Sequence, residues 1–129
     1  MKVFDHAKGA YAERNKDEGK KVTKETIVPH LASFFHNGRE VRLDALRAVK
    51  RKLAQLRTAL QQDGAFRLYS TSLLLVYEGG ESDGTDDDVR CDVRMIDFAH
   101  VYPLDEGAHN DDGYTWGLDN LIDLMEQIS

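Results

Sequence analysis

Asp97 and His100 lie three residues apart in the nonamer 92–100 and are the side chains best placed for chemistry. The apolar residues that could bury a strand just before them are Val93, Met95 and Ile96. Such a strand would deliver both ionisable side chains to its own end, where proteins often bind a metal or a phosphate. The same nonamer also fits a solvated loop with an Asp turn, so the elements around it must decide.

Two neighbouring strands would hold this pair. Residues 66–77 predict one strand, and its continuous apolar run Leu73–Val76 indicates burial on both faces. A Gly/Asp/Ser loop over 79–88 connects it to the second strand, Val89–Phe98, and a short polar connection favours an antiparallel hairpin. The aspartates in that loop lack the ligand spacing of an EF-hand, which favours a solvated loop.

The clearest helix begins with Asp44 as its cap and ends at Asp63-Gly64. Apolar residues recur on it at spacings of three and four, which predicts one buried face: Leu46, Val49, Leu53, Leu56 and Leu60. A last helix is predicted over Tyr114–Ile128, with its own apolar stripe: Leu118, Leu121, Ile122, Met125 and Ile128. Helices packed against an antiparallel sheet make the fold class α+β.

The first third of the chain carries weaker signals. Residues 1–14 predict a hairpin around His6–Gly9, and residues 15–21 predict a charged loop. Thr23 can cap a helix that runs to about His36, although Pro29 falls late in such a helix and would shift its start. Nothing indicates a domain linker, so residues 1–129 are expected to form a single domain.

Charge is distributed unevenly. Residues 39–67 carry a local net charge of +5, whereas residues 78–129 carry two basic and fifteen acidic residues, a net charge of −13. The basic residues that could contact a phosphate are Arg47, Lys50 and Arg51 on the outer helix face, and Arg67. The pattern suits a site where cations and metal-binding carboxylates meet a polyanion, but two solvated faces would produce it equally. Nucleic-acid binding is disfavoured because the net charge of −6 would repel a phosphate backbone.

Cysteine usage and hydropathy bound the cellular setting. Cys91 is the single cysteine, which excludes an internal disulfide and a cysteine-based zinc site. An intracellular protein, in the cytoplasm, the nucleus or both, is therefore expected. No apolar run approaches the roughly 20 residues of a membrane span.

Three stretches together resemble the inositol polyphosphate kinase family, in its hexakisphosphate kinase and multikinase branches. Residues 69–74, Tyr-Ser-Thr-Ser-Leu-Leu, resemble its Ser-Ser-Leu-Leu strand motif, and residues 95–100, Met-Ile-Asp-Phe-Ala-His, resemble its Ile-Asp-Phe motif. Residues 112–122 are similar to its Gly-Tyr-x-x-Gly-Leu helix start, and the stretch Phe35–Gly38 with Arg42 fits the same branches. The likeness covers nearly the whole chain in the family's order.

The resemblance implies an ATP-dependent kinase that phosphorylates an inositol polyphosphate. Asp97 would be the catalytic Mg²⁺ ligand on the nucleotide side, because a hard cation that bridges phosphates prefers carboxylate oxygen. His100 would contact the inositol phosphate, and Ser72 would line the nucleotide and metal side, where its structural alternative is a strand hydroxyl bonded to a neighbour. Arg67 and the cations of the helix, Arg47, Lys50 and Arg51, are candidate substrate contacts that no family motif assigns.

The family also carries an N-terminal lobe that holds the adenine, and a Pro-x-x-x-Asp-x-Lys-x-Gly motif; neither occurs in these 129 residues. The chain is therefore expected to be the C-terminal part of a kinase, with phosphotransfer requiring the missing lobe. Two alternatives stay open. One is a non-catalytic module that binds an inositol phosphate or a partner protein, and the other is a fragment with an exposed apolar surface where the missing lobe would dock.

Overall fold

The computed structural model describes residues 1–62, 66–68, 71–80, 89–97, 101–103 and 113–128, with 66–68 and 101–103 described at the level of the backbone. These ranges form strands and helices in an α+β arrangement, as the sequence predicts. In chain order they are β1 (Lys2–Asp5), β2 (Ala10–Glu13), α1 (Lys16–Lys20), α2 (Ile27–Phe34), α3 (Leu43–Gln62), β3 (Phe66–Leu68), β4 (Ser72–Tyr77), β5 (Cys91–Ile96), β6 (Val101–Pro103) and α4 (Gly113–Glu126).

The described strands form three antiparallel pairs, β1 with β2, β3 with β6, and β4 with β5. In the β4–β5 pair Ser72 lies opposite Ile96 and Tyr77 opposite Cys91, which confirms the predicted antiparallel hairpin. The single strand predicted over 66–77 is wrong in extent, because β3 leaves this pair and joins β6 instead. β6 was not anticipated, since a three-residue strand is too short for a periodic signal.

The core lies between α3, α4 and one face of the β4–β5 pair. Its fully buried members come from the apolar stripes of the two helices and from the residue after α2: Phe35, Ala45, Leu46, Val49, Leu53, Leu118 and Met125. The predicted helix stripes are therefore confirmed. Three side chains of β4 and two of β5 pack on this core from the sheet side: Leu73, Leu75, Tyr77, Cys91 and Val93.

The second face of β4 is open. Leu74 is 45% exposed and Val76 51% exposed, whereas Leu75 between them packs on the core. The prediction that residues 73–76 are buried on both faces is wrong. Successive side chains of a strand point to opposite faces, and the helices cover only one of them.

Helix starts differ from the predictions by a few residues. α2 begins at Ile27 rather than after Thr23, which leaves Pro29 in the first turn, where its missing amide is not needed. α3 begins at Leu43, so Asp44 lies inside its first turn and is not the residue before it.

The N-terminal hairpin is confirmed, with Lys2 opposite Glu13 and Asp5 opposite Ala10. The charged loop predicted next is wrong, because α1 forms there. The Asn15 side chain accepts from the amide of Glu18 at 2.9 Å, and the Glu18 carboxylate accepts from the amide of Asn15 at 3.2 Å. The Asn-x-x-Glu spacing is the signal that predicts this capping box. No helix in the described ranges is long and apolar enough to cross a membrane.

Candidate functional site

Asp97 follows the last residue of β5 and has an exposed side chain. Its φ is +65°, and it is the one non-glycine residue with positive φ in the described ranges. Asp tolerates this left-handed region better than most residues, and such backbone conformations concentrate at functional sites. The positive φ interrupts the strand alternation at the point where the sequence predicts a metal ligand.

Two hydroxyl side chains lie beside this strand end. Ser72 is exposed and pairs with Ile96, so it neighbours Asp97 across the ladder. Thr71 precedes it and is buried, and its Oγ1 has no hydrogen-bond partner among the described residues. A buried hydroxyl without a partner is uncommon in proteins and fits a site that another polar group completes.

A strip of exposed apolar side chains leads away from Asp97 on the open face of the sheet. Ile96 is exposed directly before Asp97, and Leu74 and Val76 continue the same face on β4. Opposite them on β5 the Arg94 Nε donates to the Asp92 carboxylate at 2.7 Å. The strip is apolar and bordered by polar groups, and an exposed apolar patch of this kind marks a surface that contacts a ligand or a partner.

A groove of about 610 Å³ lies between the β1–β2 hairpin and β4; we call it the hairpin groove. Its lining includes Lys2, Phe4 and Tyr11 from the hairpin and Leu74 and Val76 from the strip. The Tyr11 ring is edge-to-face with Phe4 at 5.2 Å and carries the Lys2 ammonium 4.6 Å from its centre. The groove therefore offers an aromatic ring and an apolar floor, and its volume is typical of small-molecule sites.

The carboxylate at the end of β5 is the type of oxygen ligand that Mg²⁺ takes. Within the described ranges no three His, Cys, Asp or Glu side chains converge on one point. Mg²⁺ in phosphotransfer sites keeps several waters and is bound through one or two carboxylates plus the phosphates of the substrate. Asp97 offers one exposed carboxylate of this type, and its role as a metal ligand stays a prediction.

No described interaction brings the basic side chains predicted to contact phosphate to Asp97. Lys50 forms an ion pair with Glu126 at 3.1 Å, which joins α3 to α4, and its side chain is mostly buried. Arg47 and Arg51 lie exposed on α3. Arg67 lies on β3 with only its backbone described, and His100 lies outside the described residues. The roles of all these residues stay predictions.

Sequence reasoning missed the clamp around Arg42. This side chain is 4% exposed, and its Nε and Nη2 donate to the two carboxylate oxygens of Asp44 at 2.9 and 3.0 Å. The hydrogen bond to Asp44 raises the pKa of the Arg42 guanidinium, which keeps it charged despite its burial. The sequence named Arg42 only through the family resemblance, and an Arg and an Asp two residues apart are too common a pair to predict the clamp.

Comparisons with known proteins agree with the fold and the motifs. The sequence profile described as inositol polyphosphate kinase matches residues 1–126. Inositol hexakisphosphate kinase 2 of Oryctolagus cuniculus is 35% identical over 163 aligned positions, which cover 100% of this chain and 38% of that protein. Inositol hexakisphosphate kinase 3 of Mus musculus is 32% identical over 146 positions, which cover 99% of this chain and 36% of that protein.

The fold has a counterpart among solved structures. A structure of an inositol phosphate multikinase superposes with a TM-score of 0.80 at 21% identity, covering 99% of this chain and 59% of the other. At this identity the likeness shows the fold alone. The chain spans less than two-fifths of the length of the two kinases above. Because the family profile extends over nearly the whole sequence, this chain belongs to the inositol polyphosphate kinase family.

Proposed function

We propose that the chain supplies the metal and substrate half of an enzyme that transfers the γ-phosphate of ATP to an inositol polyphosphate. The observation that carries the proposal is Asp97, an exposed carboxylate at the end of β5 with a φ of +65° beside Ser72. Family membership supports the reaction class. The acceptor suggested by the names of the relatives is an inositol phosphate such as inositol hexakisphosphate.

In this proposal Asp97 holds Mg²⁺, with the Ser72 hydroxyl beside it as a hydrogen-bond partner for a phosphate or a metal-bound water. When bound, Mg²⁺ neutralises charge on the β- and γ-phosphates. The protein's own contribution is placement: the β4–β5 ladder and the positive φ fix where the carboxylate stands. Positioning and electrostatics provide most of the catalysis in phosphoryl transfer, because little covalent chemistry is left to the side chains.

The apolar strip supports a place for the nucleotide. Ile96 and Leu74 lie next to Asp97 and Ser72 on one face of the sheet, so a base packed on them would keep its phosphates near the carboxylate. Burying an aromatic ring on aliphatic side chains is favourable through the apolar area removed from water. The strip also fits the alternative of an exposed apolar surface on which a second lobe docks.

His100 is proposed to contact the inositol phosphate, since it follows Asp97 by three residues and can donate a hydrogen bond. Arg67, Arg47 and Arg51 are proposed as auxiliary phosphate contacts. The ammonium of Lys50 already pairs with Glu126, which counts against a phosphate contact there. This pairing also weakens the alternative of a binding module that works through the α3 cations alone.

The 129 residues are proposed to act as a single C-terminal domain, with the adenine-binding lobe contributed by residues outside this sequence. Most of the length of the relatives lies beyond the matched part, which supports this division. An intracellular location stays a prediction.

The proposal is tested by titrating the chain with a fluorescent ATP analogue in the presence of Mg²⁺ and in the presence of EDTA. Mg²⁺ should strengthen binding by roughly tenfold, equivalent to about 1.4 kcal/mol, through Asp97. Asp97→Asn keeps the size of the side chain and should abolish this increment. Asp92→Asn, on the same strand, is the matched control and should retain it. An increment of equal size in the wild type and in Asp97→Asn would rule out the proposed metal role.

A further inference from the structure

Three consecutive backbone carbonyls after β4 accept hydrogen bonds from two separate parts of the chain. Arg42 Nη1 donates to the carbonyl oxygens of Glu78, at 3.4 Å, and Gly80. His6 Nε2 donates to the carbonyl oxygen of Gly79 at 2.7 Å. The exit of β4 is therefore held between the turn of the β1–β2 hairpin and the segment that begins α3.

The Arg42 side chain can hold this segment because its own position is fixed. Its fork binds both oxygens of Asp44, and its backbone amide donates to the carbonyl of Phe35 at 2.7 Å. A bidentate arginine–carboxylate pair adds geometric specificity to its charge. At 4% exposure the guanidinium has little competition from water.

The segment before α3, which contains Arg42, also holds the β1–β2 hairpin. The amide of His6 donates to the carbonyl of Asn37 at 2.7 Å, and the Asn37 side chain accepts from the amides of Arg39 and Glu40 at 2.9 Å each. Gly38, with φ +91°, lies so close that a Cβ there would overlap the Asp5 carboxylate. The hairpin and the exit of β4 are thus fixed to one rigid segment, residues 35–44.

We propose that Arg42 and His6 are positioning residues that set the width of the hairpin groove and so its affinity for the nucleotide. The groove has the hairpin on one side and β4 on the other. His6 bonds the turn of the hairpin to the Gly79 carbonyl after β4, and Arg42 holds the neighbouring carbonyls of Glu78 and Gly80. The inference rests on the proposed function for the identity of the ligand. It adds a second determinant of binding, at the end of β4 opposite Asp97.

The test uses the same fluorescent ATP analogue with four variants. Arg42→Lys keeps the charge but loses the fork, and His6→Phe removes the ring donor. His6→Gln restores a donor that can reach the Gly79 carbonyl. Val49→Ala creates a cavity in the core away from the groove and is the matched control for lost stability. All titrations are made well below the lowest melting temperature.

Arg42→Lys and His6→Phe should weaken nucleotide binding about tenfold and keep the Mg²⁺ increment, whereas His6→Gln and Val49→Ala should bind as the wild type does. Binding by Val49→Ala that is weakened as much as by Arg42→Lys would reduce Arg42 to a stabilising residue and overturn the inference. The loss in Asp97→Asn of the affinity that Mg²⁺ adds tests only the metal site. It does not bear on the roles of Arg42 and His6.

If the isolated chain binds no nucleotide, that result counts against the proposed function. The inference about Arg42 and His6 is then tested by hydrogen exchange. The backbone amide of His6 donates to the carbonyl of Asn37, and that of Glu78 donates to the carbonyl of Arg90. Both amides should exchange with solvent faster in Arg42→Lys than in Val49→Ala. Equal exchange in the two variants would overturn the inference, because the hairpin would then not depend on Arg42.

Discussion

At the scale of single residues, Asp97 combines a functional side chain with a backbone that few residues tolerate. The φ of Asp97 is +65°, in the left-handed region, where a short polar side chain can hydrogen-bond locally and alanine cannot. Asp97→Ala should therefore lower the free energy of unfolding by about 1 kcal/mol. Asparagine populates this region readily, so Asp97→Asn should unfold at the same urea concentration as the wild type. Urea unfolding of the three proteins measures the difference. Equal stability of Asp97→Ala would mean that the backbone there is unstrained.

Tyr77 gives a second residue-level prediction, through pH. Its hydroxyl donates to the carbonyl of Phe34 at 2.5 Å, and burial raises the pKa of Tyr77 from 10.0 to about 12. Between these values the folded chain keeps a proton that the unfolded chain has released. The stabilisation is therefore complete below pH 10 and declines as the pH rises toward 12.

The check compares unfolding free energies of the wild type and Tyr77→Phe from pH 9 to pH 12. The wild type should be the more stable protein at pH 9, by about 1 kcal/mol for the hydrogen bond, and its advantage should shrink as the pH rises. Tyr11→Phe, at an exposed ring, is the control and should follow the wild type. An advantage that stays constant across the range would contradict the assigned pKa.

The family resemblance carried the prediction of Asp97, because the nonamer read alone fits a solvated loop as well as a site. The sequence could not reveal the contacts of Arg42. The importance of that side chain comes from carbonyls 36 and 38 residues further along the chain, which only the folded structure brings near. His100 was predicted on the same pattern as Asp97 and stays a prediction, since it lies outside the described residues.

At the scale of elements, the period of the apolar residues explains which predictions held, whereas the predicted helix caps were wrong. α3 and α4 were predicted from spacings of three and four, and those stripes form the core. Residues 73–76 are all apolar and do not alternate with polar residues, so the sequence does not show which face of the strand is buried. Two of the four side chains, Leu74 and Val76, proved to be exposed. The helices that would decide which face is covered are distant in sequence, and this is why the error arose there.

The open face of β4 makes a prediction of its own. Leu75→Ala should cost about 2 kcal/mol of unfolding free energy, because Leu75 packs on the core. Leu74→Ala should change stability by no more than about 0.5 kcal/mol, because Leu74 is largely exposed, yet it should weaken binding of the fluorescent ATP analogue severalfold. Chemical denaturation and ligand titration on the same samples separate the two effects. Unchanged nucleotide binding in Leu74→Ala would remove the apolar strip from the proposed site.

At the scale of the whole molecule, the open face of the sheet fits the proposed place of the nucleotide. The strip beside Asp97 is apolar and exposed, as a surface would be where a second lobe covers a nucleotide. The charge distribution suited a polyanion and a metal but fitted two solvated faces equally, and the order of three motifs along the chain was needed to indicate a kinase. Their agreement with the family profile over residues 1–126 shows why combined motifs outperform single ones.

The most direct test is phosphotransfer by the completed enzyme. The chain is joined behind the N-terminal region of inositol hexakisphosphate kinase 2 of Oryctolagus cuniculus, one of its relatives, and given ATP with a labelled γ-phosphate, Mg²⁺ and inositol hexakisphosphate. The account predicts Mg²⁺-dependent label in the inositol product, lowered at least a hundredfold by Asp97→Asn and retained in Asp92→Asn. Equal transfer by the wild type and Asp97→Asn would contradict the account.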